Sequence, residues 1–293
     1  MTSLRSSAFN RALFLVLGIL LLLAACSPPQ PRPTGVAYDY DAAKDMFRKG
    51  RFDKALDFSE RSANASPPDA LTERAQVLRV AILSGHVKAY KELADTYTKG
   101  SETTKNTRFK AEYQRLRHDY LQYGSRMALG LGEVAHRMTE GAKIPKEVTL
   151  EAAYPSAEGP LQVTQLARVK EGGWIEPDEQ EAAAIDAARK GVDDALAEMV
   201  GGDRSKAREA MTAGPVKLNG VDFALFLAKQ LLEGASLFDR KHIRDSQKLR
   251  VLANEAEETV KGALALLKES PDPAKEKAAK KIQDQIKTTL RNL

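Results

Sequence analysis

Apolar residues recur at three- and four-residue steps along most of the chain, and that period admits one kind of secondary structure. A helix of 3.6 residues per turn brings positions i, i+3, i+4 and i+7 to one face, whereas a half-buried strand needs strict alternation. The longest stripe runs Phe109, Tyr113, Leu116, Tyr120, Tyr123 and Met127, and Leu131, Val134 and Met138 continue it. Runs rich in Val, Ile and Thr are few, so the chain reads as all-α with minor strands. Its expected order is helical hairpins, then a C-terminal helical bundle.

The first 25 residues read as a removable leader rather than as part of that fold. Arg5 and Arg11 form a positive start, and Ala12 to Ala25 then run for 14 residues without a polar side chain. A helix needs roughly 20 apolar residues to cross a bilayer core, so this run suits a secretion signal. It ends in Leu23-Ala24-Ala25-Cys26, which resembles the lipobox of bacterial lipoproteins. The resemblance implies diacylglycerol on the Cys26 sulfur, cleavage before Cys26 and acylation of the new amino group. Cys26 is the only cysteine, so no disulfide forms within one chain. More than one acyl chain gives stable anchoring. In a host with two membranes, Ser27 resembles the residues that permit transport to the outer membrane, with the protein on its periplasmic side. Residues 26–37 then form a tether in which Pro28, Pro29, Pro31 and Pro33 favour extended backbone.

Charge excludes one class of partner. There are 45 basic and 40 acidic residues, and the surplus of five falls to three when Arg5 and Arg11 leave with the leader. Spread along an Ala-, Leu-, Lys- and Glu-rich chain, that surplus is no nucleic-acid footprint.

Residues 38–141 read as a helical repeat region. Tyr40 to Leu56 form a helix, a turn at Gly50 and a second helix, which ends by Pro67. With Ala43, Gly50, Phe52, Ala55 and Pro67 at matching positions, the segment resembles a tetratricopeptide repeat. The alanines let two helices approach, Gly50 closes the turn, Phe52 fills the gap and Pro67 stops the second helix. Met46, Ser59 and Ser62 depart from the pattern. Gly85 follows Gly50 by 35 residues, close to one repeat length, and predicts a second turn. The helix after it would run from Val87 to Tyr97, ending at Gly100 and Ser101. The long stripe that follows has two readings. Tyr113, Tyr120 and Tyr123 either line a ligand groove or form the seam of the stack, and a stripe at helical spacing is normally buried.

Residues 142–178 are rich in Pro and Gly, with Val148-Thr149-Leu150 and Leu161 to Thr164 as a candidate short hairpin. They read as an irregular connector and a domain boundary. Residues 179–293 read as a separate helical domain. Pro177, Asp178 and Glu179 start a helix whose buried face is Ile185, Ala188, Val192, Leu196 and Met199, stopped at Gly201. Asn219 caps a helix that is apolar nearly all round and therefore central. Leu249, Leu252, Ala256, Val260, Ala263 and Leu267 form a narrow seam. Beyond Pro271 and Pro273, a basic amphipathic helix carries Ala278, Ile282, Ile286, Leu290 and Leu293. Such a helix docks on its own body, on a partner or on lipid.

No catalytic or metal constellation is evident. His86, His118, His136 and His242 lack ligand spacing, and His118-Asp119 has no nucleophile beside it. Gly130-Leu131-Gly132 copies part of a dinucleotide fingerprint but follows helical periodicity instead of a strand. The expectation is a non-enzymatic membrane-anchored envelope lipoprotein without cofactors beyond its attached lipid, binding envelope proteins as an adaptor. The outer-membrane assembly lipoproteins with tetratricopeptide repeats are the family it resembles over residues 23 to about 100. The second resemblance is to the tetratricopeptide lipoprotein component of tripartite transporters, which implies a small apolar ligand in a helix-lined cavity.

Overall fold

A computed structural model describes residues 35–65, 68–139, 144–155 and 163–291. Cys26, residues 26–34 of the tether, Pro67 and Leu293 lie outside them. Among the described residues are ten helices and two short strands, so the protein is all-α.

Helix α1 (Val36–Arg48) and helix α2 (Phe52–Ala63) form the expected hairpin. Gly50 has φ +69°, and the turn is closed by Gly50 N–H to Phe47 O at 2.9 Å and Arg51 N–H to Met46 O at 2.9 Å. This is a left-handed helix ending, which glycine adopts without steric cost. Ala43 and Ala55 are fully buried between the helices, and the Phe47 and Phe52 rings meet at 5.7 Å. Ser62 is buried too, and its hydroxyl donates to Val36 O at 2.8 Å.

The second expected hairpin does not form. Helix α3 (Ala70–Thr103) runs through Gly85 without a break, and Gly100 and Ser101 also lie inside it. Asp69 starts it, accepting from Leu71 N–H and Thr72 N–H, both at 2.9 Å. Gly85 is needed for a different reason, its missing side chain. A Cβ there would stand 2.5 Å from the Val192 backbone. Helix α4 (Thr107–Thr139) folds back along α3 and carries the whole aromatic stripe, with Gly130 and Gly132 inside it.

Strand β1 (Glu147–Leu150) pairs antiparallel with β2 (Val216–Asn219), Val148 opposite Leu218, and not with a local hairpin partner. Val163 instead opens helix α5 (Val163–Lys170). The distant pairing follows from burial: Val148 and Leu150 are fully buried, which commits β1 to the core and leaves its edge for β2. Gly220 seals the join, donating its N–H to Lys146 O at 2.8 Å, where a Cβ would stand 1.9 Å from Pro145 O.

Helices α6 (Pro177–Met199) and α7 (Arg204–Ala213) follow, then α8 (Gly220–Ser236), α9 (Ser246–Glu269) and α10 (Pro273–Arg291). The expected boundary at residues 142–178 does not divide the fold, because Val36 to Leu293 is one unit. Helix α6 packs on α3, and α8 and α9 pack on α4. Glycines permit this: a Cβ on Gly132 would stand 2.7 Å from Leu252, and one on Gly234 would stand 2.9 Å from Ala128. Asn219 caps α8 through Val221 N–H at 3.0 Å, and the α9 seam from Leu249 to Leu267 is buried as its spacing predicts. Helix α10 docks on α8 and α9 through buried Ile282 and Ile286, with Lys275 Nζ on Asp222 at 2.7 Å. No helix among the described residues is long and apolar enough to cross a membrane.

Candidate functional site

The crossing of α3 and α6 builds the most distinctive surface of the molecule. Gly85 and Gly191 meet at the crossing, where a Cβ on Gly191 would stand 2.1 Å from Gly85 O. Two ion pairs flank the contact, Lys88 to Asp194 at 2.9 Å and Lys190 to Glu92 at 3.1 Å. Toward the start of α6 the two helices and the Gly50 turn enclose a groove of about 390 Å³. Phe52 and Asp53 line it from the hairpin, His86 and Tyr90 from α3, and Glu181, Ala184 and Ile185 from α6.

Ile185 is 54% exposed, against the expectation that it belongs to the buried face of α6. The start of α6 instead buries Ala183 and Ala187, and a residue two positions from each points to the opposite side of a helix. Small side chains let this end of α6 lie close to its neighbours, and the large one is left for the groove.

The groove floor is aromatic. The His86 ring lies 5.8 Å from Phe52 and 5.5 Å from Tyr90. Burial depresses its pKa to about 4, a nearby Asp53 opposing this, so the imidazole is neutral near pH 7. Its Nδ1 is buried and has no hydrogen-bond partner among the described residues. Tyr90 stacks on Tyr120 at 6.1 Å and touches Tyr123 at 5.8 Å. Burial pushes the Tyr90 and Tyr120 hydroxyls up to about 12, so both stay protonated near neutral pH.

The three tyrosines expected together are divided. Tyr113 and Tyr120 belong to the core, each 5.6 Å from the fully buried Tyr97 ring. The Tyr113 hydroxyl donates to Gly173 O, and Trp174 stacks between Tyr113 at 6.1 Å and Phe109 at 4.9 Å. Only Tyr123 reaches the surface, 46% exposed beside Tyr90. Of the expected repeat-packing residues, Ala43, Gly50, Phe52 and Ala55 meet in the hairpin, and Gly85 sits at the α3/α6 crossing instead of a turn.

The other histidines serve local contacts. His118 is exposed against Gln122, and His136 lies 3.2 Å from Glu255. His242 is held between Asp239 at 2.8 Å and Asp95 at 3.3 Å. No group of three or more His, Cys, Asp or Glu side chains among the described residues is placed to hold a metal.

Sequence reasoning missed His86, Tyr90, Asp53 and Glu181 as neighbours of one opening. The available signal was the small-residue face Ala184, Ala187, Ala188 and Gly191, a pattern that permits close helix approach and that answers Gly85 on α3. No family model matches the chain, and no curated protein and no solved structure matches it.

Proposed function

We infer that the protein is an envelope adaptor, held at a membrane by lipid on Cys26, that binds a segment of another envelope protein in the groove between the first hairpin and α6. The observation that carries this reading is the groove itself, which leaves Ile185 exposed over an aromatic floor. A large aliphatic side chain costs free energy in water, about 25 cal/mol for each Å² of apolar surface, and regains it under a partner. Arg51 and Lys54 on one wall and Asp53 and Glu181 at the rim suit a partner carrying both charges around an apolar stripe. An amphipathic helix has that chemistry. A ligand-handling role on the tyrosine stripe has less support, since Tyr113 and Tyr120 are occupied by Tyr97 and Trp174.

Two measurements test the two halves of the proposal. Labelled palmitate enters the wild type and not Cys26→Ala; equal labelling contradicts the anchor. A photoreactive side chain in place of Ile185 gives one discrete envelope adduct in cells, whereas the same group at exposed Lys277 does not. Ala184→Trp fills the groove and removes that adduct; an unchanged adduct puts the partner elsewhere.

A further inference from the structure

The chain reversal between α8 and α9, residues 237–245, borders a second opening of about 710 Å³. The half-buried Leu232 is the large apolar side chain that reaches its surface, with Phe238 and Leu249 closed beneath at 1% and 5% exposed. Arg240, Lys241 and Arg244 stand on its rim. None of these three side chains has an ion-pair partner among the described residues, where 27 ion pairs occur, three of them through histidine. The acids close by are already engaged. Asp239 Oδ1 accepts from Lys241 N–H at 2.8 Å and His242 N–H at 3.1 Å, and lies 2.8 Å from His242 Nδ1. Asp245 caps α9 through Lys248 N–H at 3.1 Å and pairs with Lys248 Nζ at 3.1 Å.

The reversal holds these cations in place. Ile243 N–H donates to Leu237 O at 3.1 Å, Arg244 N–H to Asp239 O at 2.9 Å and Asp245 N–H to Phe238 O at 3.0 Å. From α4, Arg117 donates to Lys241 O at 2.9 Å. Arg244 has φ +61°, and it is the one non-glycine residue with positive φ among the described residues. Left-handed backbone at an arginine costs free energy, and such strain gathers where side-chain placement matters more than stability.

We propose that this cleft binds a single-chain anionic amphiphile, with its head group on Arg240, Lys241 and Arg244 and its chain along Leu232 and the aliphatic stems of the rim cations. Cations crowded on one short reversal repel one another, and one phosphate or carboxylate head relieves that repulsion through charge-assisted hydrogen bonds. The opening has the size of small-molecule sites, and Leu232 gives a chain an apolar contact that inorganic phosphate cannot use. This site is separate from the adaptor groove and stands or falls independently of it.

The test is calorimetric titration of octyl phosphate into the full chain carrying Cys26→Ser, which removes competing acyl groups. Expected is saturable one-to-one binding below the micellar concentration, at least about tenfold tighter than inorganic phosphate or octyl glucoside. Arg240→Gln with Lys241→Gln, both exposed positions, weakens it at least about tenfold with an unchanged helical spectrum. Arg244→Gly supplies the second readout, because it keeps the backbone conformation: binding weakens while the unfolding temperature holds or rises. No saturable binding, equal binding of inorganic phosphate, equal binding by the double variant, or association only with anionic vesicles would each overturn the proposal.

Discussion

Gly50 and Gly85 stand 35 residues apart with helical periodicity on both sides, yet one turns the chain and the other lies inside a 34-residue helix. At Gly50 the backbone takes φ +69° and nothing lies within 4 Å of an added Cβ, so only the conformation demands glycine. At Gly85 the conformation is ordinary helix, and the demand comes from the Gly191 and Val192 backbone pressed against it. Freedom in φ and absence of bulk are separate properties of one residue. The difference sets the architecture: the first builds a hairpin, and the second lets α6 settle on α3 and close one wall of the groove.

Substitution separates the two demands. Gly191→Ala forces a Cβ against Gly85 O, and backbone cannot swing aside as a side chain can. We expect a loss of about 3 kcal/mol, the upper end for overpacking, in urea unfolding. A loss below about 1 kcal/mol would mean that the helices can separate at little cost, given the helix propensity that alanine gains. Gly50→Ala should cost less, about 1–2 kcal/mol, and Gly50→Asn less again, because only left-handed backbone is penalised. Equal losses at the two glycines would erase the distinction.

The aromatic seam allows a similar contrast at smaller scale. Tyr113→Phe removes the hydroxyl bonded to Gly173 O and should cost about 1 kcal/mol. Tyr97→Phe removes a buried hydroxyl without a partner among the described residues, so stability should hold or rise. The smallest expected effect is at His242, which joins the α8–α9 reversal to α3. Hydrogen bonding to Asp95, then Asp239, raises its pKa above the usual 6.5 against the opposing effect of burial. Its charge therefore stabilises the fold below about pH 6.5, and that contribution is lost as pH rises through the higher folded value. Asp95 is half exposed, so His242→Gln should flatten the pH dependence of stability by less than about 1 kcal/mol.

Period alone was sufficient for the long seams. Phe109 to Met138 and Leu249 to Leu267 each form one helix, because large side chains at three- and four-residue steps leave no competing structure. Local chemistry likewise placed the Gly50 turn and the Asn219 cap. Gly85 was misread because its partner, Gly191, lies far along the chain and spacing carries no record of it. Ile185 was misread because, in an alanine-rich helix, the bulky residue stands out as a core marker while the alanines do the packing. The β1–β2 pair was hidden because each strand has only four residues, and their pairing depends on the approach of Gly220 to Lys146. The groove inherits these gaps, since its walls come from three elements, two of which meet at Gly85.

The shape of the groove depends on α3 running unbroken through that glycine. Amide hydrogen exchange across Leu83, Ser84, Gly85, His86 and Val87 tests this directly, since each amide inside a helix is held by the carbonyl four residues before it. Slow exchange at all five, comparable with Leu78 and Leu93 on the same helix, is the expected result. Fast exchange at Gly85, His86 and Val87, matching that at Gly50, would restore the turn that repeat spacing predicts and remove the groove.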